Sequence, residues 1–168
     1  MAVANNITRL LDSRKIAYQV FELPEEKFGA LQTARLLGVE AELVYKTIVI
    51  NRVKGNPILV VISAPNRVDL KRLVAALGEK KVILPSEREA EKLTGLQAGG
   101  ISPLALLNKS FQVVIDSAAQ SKSEIHVSGG QRGLNIRLSV KGLAEITRAR
   151  FAAVSEPDPE EEESDSTK

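Results

Sequence analysis

Val44-Tyr45-Lys46-Thr47-Ile48-Val49-Ile50-Asn51-Arg52-Val53 and Ile58-Leu59-Val60-Val61-Ile62-Ser63, joined by Lys54-Gly55-Asn56-Pro57, form the most strongly patterned stretch of the 168-residue chain. β-Branched residues dominate both runs and fit a pleated surface, while the joint supplies turn chemistry. The stretch therefore predicts an antiparallel hairpin over 44–63 at the centre of a sheet. Lys46 is out of keeping with its neighbours. By period-2 alternation it shares a face with Val44 and Ile48, while Tyr45, Thr47 and Val49 share the other. On an edge strand Lys46 is a solvated gatekeeper. On an inner face its ammonium must reach an anion, a dipole or a pocket. The pattern alone leans to the gatekeeper.

On the N-terminal side, Ile7, Leu10 and Leu11 at helical spacing predict a helix over 6–15, with Asn5 or Asn6 as cap. Residues 17–23 alternate as a strand that Pro24 ends, and Leu31, Ala34 and Leu37 predict a helix over 31–37 stopped by Gly38. On the other side, Asp69 caps a predicted helix over 70–77 that ends at Gly78. Residues 82–84 read as a short strand, and Ser86 with Glu89 offers a capping box for a helix ending near Thr94-Gly95. Strands follow at 111–116, 124–127 and 134–138, with a glycine hairpin at 128–133 and a last helix at 141–147. Helices and strands interleave while hairpins recur, so the expected fold is α/β (α+β), a single domain on a mixed sheet.

A chain that is 43% hydrophobic can bury one sizeable core. No apolar run approaches the roughly 18 residues of a membrane span, so a soluble, cytoplasmic protein without membrane contact is expected. The absence of cysteine excludes disulfides, thiolate metal sites and a cysteine nucleophile, and a single histidine excludes a multi-histidine metal site. No metal or cofactor is expected. Charge is unevenly spread: residues 156–168 hold seven acids against one lysine, leaving 22 basic and 14 acidic residues in 1–155. The body can attract a polyanion, nucleic acid above all, although excess lysine also serves solubility. Residues 155–168 lack large apolar side chains and are expected to form an acidic disordered tail after a domain spanning 1–154.

Gly99-Gly100-Ile101-Ser102-Pro103 carries further chemical potential. Two glycines allow close backbone approach to a ligand, and consecutive amides there can hold an oxyanion, although a tight connecting loop is the commoner use. Ser128-Gly129-Gly130-Gln131-Arg132-Gly133 lacks the lysine and hydroxyl of a nucleotide-binding P-loop and reads as a glycine hairpin, with Arg132 placed to meet phosphate or solvent. His126 is the only imidazole available to a serine triad, no nucleophile elbow accompanies it, and a structural role is expected. Asp116 reads as the cap of the next turn, and Asn135 as a ligand-bonding or strand residue.

Val44-Tyr45-Lys46-Thr47, Asp69-Leu70-Lys71, Gly99-Gly100-Ile101-Ser102-Pro103 and Val127-Ser128-Gly129-Gly130 occur in an order and spacing that resembles YbaK-like aminoacyl-tRNA deacylases over about residues 5–154. This family includes the editing domains of bacterial prolyl-tRNA synthetases and free-standing proteins acting in trans. The resemblance implies a mixed sheet curled partly like a barrel and surrounded by helices. It reverses the gatekeeper reading: Lys46 would orient the terminal adenosine through phosphate or ribose oxygens, and the Gly100 and Ile101 amides would hold the substrate carbonyl. Phe28, Gly99, Ser102, Pro103, Ser128, Gly129 and Asn135 would shape the substrate pocket. The partner implied is aminoacyl-tRNA of the proline acceptor, with prolyl-tRNA synthetase as a further partner.

An aminoacyl ester is already activated, so positioning and oxyanion stabilisation suffice without a protein nucleophile. Water would attack in relatives acting on alanyl-tRNA, and the substrate's own thiol in those acting on cysteinyl-tRNA. Cysteinyl-tRNA relatives commonly have a tyrosine near the position of Leu23 and an aspartate where this chain has Asn135. These departures keep a second expectation open, a non-catalytic tRNA- or synthetase-binding module on the same scaffold. A hydrolase of unrelated small esters is a third.

Overall fold

The computed structural model describes residues 5–160. In chain order these form α1 (Asn6–Ser13), β1 (Tyr18–Glu22), α2 (Ala30–Leu37), β2 (Tyr45–Arg52), β3 (Ile58–Ser63), β4 (Asn66–Val68), α3 (Leu70–Leu77), β5 (Val82–Ile83), α4 (Glu87–Thr94), β6 (Gln112–Asp116), β7 (Glu124–Ser128), β8 (Leu134–Ser139), α5 (Val140–Thr147), β9 (Arg150–Ala152) and β10 (Ser155–Pro157). Local chemistry sets most helix ends. Asn5 Oδ1 accepts from the Thr8 amide at 2.9 Å while Thr8 Oγ1 accepts from the Asn5 amide at 2.8 Å, which starts α1 at Asn6. The helix stops at Ser13 rather than 15, because Lys15 turns left-handed (φ 58°) and the Ile16 amide bonds back to Leu11 O. Gly38, Gly78 and Gly95 close α2, α3 and α4 in the left-handed conformation.

The predicted hairpin is present: β2 and β3 pair antiparallel, with Lys46 opposite Ile62. β3 also runs parallel to β6, and both its faces are covered, so all six of its residues are buried. The large sheet has the order β5-β2-β3-β6-β9, and a second, antiparallel sheet has the order β1-β8-β7. One face of the large sheet, including Val49, Leu59, Val61 and Ile115, packs on Ile125, Val127, Ile136 and Leu138 of the small one, with Leu11 and Leu143 closing the ends. The opposite face, with Ile50, Ile58, Val60 and Ile62, is covered by Leu73 of α3 and by Val154. Burying a side chain such as Leu73 contributes about 1.5–3 kcal/mol.

The mixed sheet is as expected, and its curl stops short of closure. The sheets do not close into a barrel: they meet at a single isolated bridge, Val44 to His126. β2 pairs with β5 only at Asn51 and Arg52, so its preceding residues offer an open edge on the side away from β3, and a gap replaces the ladder that closure needs. One expectation, a disordered tail beginning at 155, needs correction. Ser155–Pro157 is a strand, β10, antiparallel to β4, held further by Arg67 Nε to Glu156 Oε1 at 2.9 Å and Asn66 Nδ2 to Ser155 Oγ at 2.9 Å. Backbone pairing orders this segment without any large apolar side chain. The expectation of disorder for 161–168 lies outside the described residues.

Candidate active site

A cleft of about 420 Å³ runs along the open edge of β2. Lys46 is half-buried there, and its Nζ donates to Ala64 O at 3.0 Å. The two readings of Lys46 from sequence both hold part of the answer. β2 is an edge at this point, but residues of the 98–101 loop and of the β7–β8 hairpin border the same cleft, so Lys46 lies on a cleft wall and not on an open face. Ile101, Gly99, Phe28, Ser128 and Asn135 line the same cleft. Phe28 joins none of the apolar core clusters of the described residues, so it is cleft wall rather than core anchor.

The diglycine bend differs from expectation in one respect. The Gly100 amide donates to Gln97 O at 2.8 Å, which removes it as a donor to substrate. The bend turns through Gly99 (φ 89°), and among the described residues the Ile101 amide has no hydrogen-bond partner. Gly100 serves by its lack of a side chain: a Cβ there would stand 2.8 Å from Gln131 Cα and 2.9 Å from Gln131 C. The hairpin therefore packs directly against the bend. Arg132 completes the joint, its Nε donating to Ala98 O at 2.8 Å, so this arginine braces the loop where the sequence offered phosphate or solvent.

Ser102, Pro103 and Gly129, expected to shape the pocket, do not line this cleft. Ser102 is fully buried and its Oγ accepts from the Leu104 amide at 3.2 Å, capping a short 3-10 turn that Pro103 begins. Gly129 is buried under Leu134, with its amide on Leu134 O at 2.8 Å. Ser102 and Gly129 hold the two loops from behind. Pro103 and Gly129 instead border a larger hollow of about 1020 Å³ between α1, residues 103–113 and α5, which contains none of the other candidate residues.

His126 and Asn135 are both buried, and His126 Nδ1 lies 2.9 Å from Asn135 Oδ1. Burial lowers the imidazole's pKa from its ordinary value, against the opposing pull of the Asn135 bond; nearby Arg137 lowers it further and Glu124 raises it. The unfolded chain thus binds more protons than the folded one below about pH 6.5, so stability is full above that pH and falls as acid is added. For one histidine the slope reaches at most about 1.4 kcal/mol per pH unit. Denaturant titrations at pH 7.5 and 5.5 are expected to show this loss, and His126→Phe to lack it.

Neither a serine–histidine pair nor a tyrosine base is assembled. Ser128 Oγ accepts from the Gly130 amide at 3.2 Å, and His126 Nδ1 is taken by Asn135. Burial, with the Asp116 carboxylate adding to it, pushes Tyr45 up to about 12, which keeps it a neutral phenol. Asp116 itself accepts from the Val154 amide at 2.9 Å across to the end of β9, not from the turn that follows it. Leu84, Pro85 and Thr33 also line the cleft, and an ion pair between Lys27 and Glu87 ties its rim. Periodicity gave no signal for these, since they reach the cleft by long-range packing.

A mixed α/β domain with one cleft lined by a strand lysine, the bend residue Ile101 and a buried carboxamide has the layout of a small ligand-binding domain. The chain belongs to the aminoacyl-tRNA editing domain family, whose model matches residues 25–146. A protein of Enterococcus faecalis provisionally named a Cys-tRNA(Pro)/Cys-tRNA(Cys) deacylase is 33% identical over 152 residues, covering 89% of this chain and 92% of that one. A prolyl-tRNA editing protein of Acetoanaerobium sticklandii is 26% identical over 144 residues, covering 83% and 87%. The crystal structure of a protein described provisionally as a trans-editing enzyme for prolyl-tRNA synthetase superposes with a TM-score of 0.77 at 26% identity, covering 92% and 99%. No helix among the described residues is long and apolar enough to cross a membrane.

Proposed function

We propose that this protein is a trans-editing deacylase that clears mischarged tRNA of the proline acceptor, cleaving the aminoacyl ester of a Cys-tRNA(Pro)-like or Ala-tRNA(Pro)-like substrate. The observation that carries this reading is that Lys46, Ile101 and Asn135 line one cleft. Its volume of about 420 Å³ suits a terminal nucleoside with its amino acid, within the roughly 300–1,000 Å³ usual for small-ligand sites, and leaves the rest of the tRNA outside. Lys46 holds the adenosine end by phosphate or ribose oxygens. The Ile101 amide meets the carbonyl oxygen as negative charge gathers on it.

In the hydrolytic route a water oxygen bonds to the carbonyl carbon, the bond between that carbon and the ribose oxygen breaks, and the ribose oxygen takes a proton from the attacking water, releasing amino acid and tRNA. A cysteinyl substrate offers its own thiol in place of water. Purified protein is expected to release amino acid from Cys- or Ala-charged tRNA(Pro) in a screen of charged tRNAs. Binding of tRNA without release from any member of the screen would leave a capture module instead, and release from minimal esters lacking RNA would point to a general esterase. In the same assay Arg132→Leu is expected to lower activity about tenfold or more, since a hydrogen bond from a charged donor contributes about 1.5–3 kcal/mol to the bend's geometry.

A further inference from the structure

We propose that His126 is a positioning residue that fixes the Asn135 carboxamide with its oxygen turned inward and its amide hydrogens toward the cleft, so that Asn135 donates to an oxygen of the bound aminoacyl-adenosine end. The proposal rests on the deacylase reading for the identity of the ligand, and on the geometry of this chain for the rest. An asparagine side chain can present either its acceptor or its donor to a ligand, and a pocket that uses one must suppress the other. Here the 2.9 Å contact between His126 Nδ1 and Asn135 Oδ1 makes the choice, provided Nδ1 carries the proton. Asn135 Nδ2 has no partner among the described residues and is not sealed from solvent, while the residue itself lines the cleft.

The imidazole is held firmly enough to impose this choice. It is buried, its ring lies 5.3 Å from that of Phe21 at a tilt of 54°, and its backbone forms the bridge to Val44, two residues before Lys46. That bridge sets the histidine, and through it the carboxamide, against the strand that carries the lysine. With the hydrogens of Asn135 turned outward, the side chain favours a carbonyl, ether or hydroxyl oxygen and gives nothing to an ammonium. The donors on the cleft wall then select for oxygen acceptors at the ester and ribose, leaving the α-amino group of the substrate to other contacts.

Because the chain has a single histidine, the tautomer can be read from a long-range proton–nitrogen NMR spectrum without assignment. The expected result at pH 7.5 is a protonated Nδ1 and a bare Nε2; a proton on Nε2 overturns the proposal. An amide-linked, non-cleavable aminoacyl-adenosine is expected to shift the Asn135 side-chain amide signals. Absence of that shift overturns it, whether or not the compound perturbs other residues. In the deacylation assay His126→Phe, which keeps the packing on Phe21, is expected to lower kcat/KM about tenfold, and His126→Gln, which keeps an N–H donor, to restore most of it. Full activity in His126→Phe, or equal loss in both variants, contradicts the positioning role. If the wild-type protein deacylates nothing, the functional reading fails alone, since the tautomer and the titration are read without turnover.

Discussion

Lys46→Ala is expected to lower deacylation by about two orders of magnitude or more while leaving a folded protein. The functional effect is large because Lys46 is the positively charged group of the β2 strand within the cleft, and a preorganised electrostatic contact to a reacting group is worth about 10²–10³ in rate. The structural effect is small for a local reason. Lys46 is half-buried, and one of its contacts, Nζ to Ala64 O at 3.0 Å, is to a main-chain carbonyl that water entering the space left by truncation can satisfy. Its cross-strand partner Ile62 stays in place through the backbone ladder. Lys46→Arg keeps the charge but not the compact shape of the ammonium, and should recover binding more than turnover. Steady-state kinetics with charged tRNA, beside a melting curve, separate these outcomes. A fully active Lys46→Ala protein would remove the lysine from the reaction.

Gly100→Ala is the second change with a large expected effect, and here stability and activity fall together. The new methyl group would sit 2.8 to 3.0 Å from Cα, C and N atoms of the Gln131–Arg132 backbone, and main chain cannot swing aside as the end of a flexible side chain can. The bend and the hairpin must separate. Overpacking of this kind costs about 1–3 kcal/mol. Separation would also pull Arg132 away from Ala98 O and displace the Ile101 amide, and a misplacement of about 1 Å can cost about a hundredfold in rate. The expected readout is a lowered denaturation midpoint with a loss of kcat much greater than any rise in KM. An unchanged midpoint together with unchanged activity would mean that the two loops tolerate separation, and that the Ile101 amide is not a working donor.

The Gly100 result bears on how the bend was read from sequence. Two glycines followed by Ile-Ser-Pro were expected to supply a row of amides to a ligand, with Gly100 among the donors. One hydrogen bond, Gly100 amide to Gln97 O, changes that assignment, and no property of the residue type announces it. Ser102 follows the same logic: a serine before proline can face a ligand or cap a turn, and only the position of the Leu104 amide decides. Arg132 at a hairpin tip offered phosphate or solvent as partners, and the folded hairpin gives it Ala98 O instead. In each case the residue's chemistry was legible and its partner was not, because the partner lies far off in sequence or in a turn whose course depends on packing.

The sequence by itself determined the parts governed by local rules. Period-2 and helical spacing located β2, β3 and the helices, capping residues and left-handed glycines placed most helix ends, and a charge in an apolar strand marked Lys46. The three-residue strands β4, β9 and β10 carry no periodic signal, since so few residues define no face, and they exist only because β6 offers an edge to β9 while β4 and β10 pair with each other. Tertiary structure alone decided that β2 is left open along one side, that two loops border this opening as a cleft, and that His126 reaches Asn135 behind the cleft wall. Those outcomes depend on contacts between distant segments, whose free energy comes from burial and pairing that no window of neighbouring residues contains.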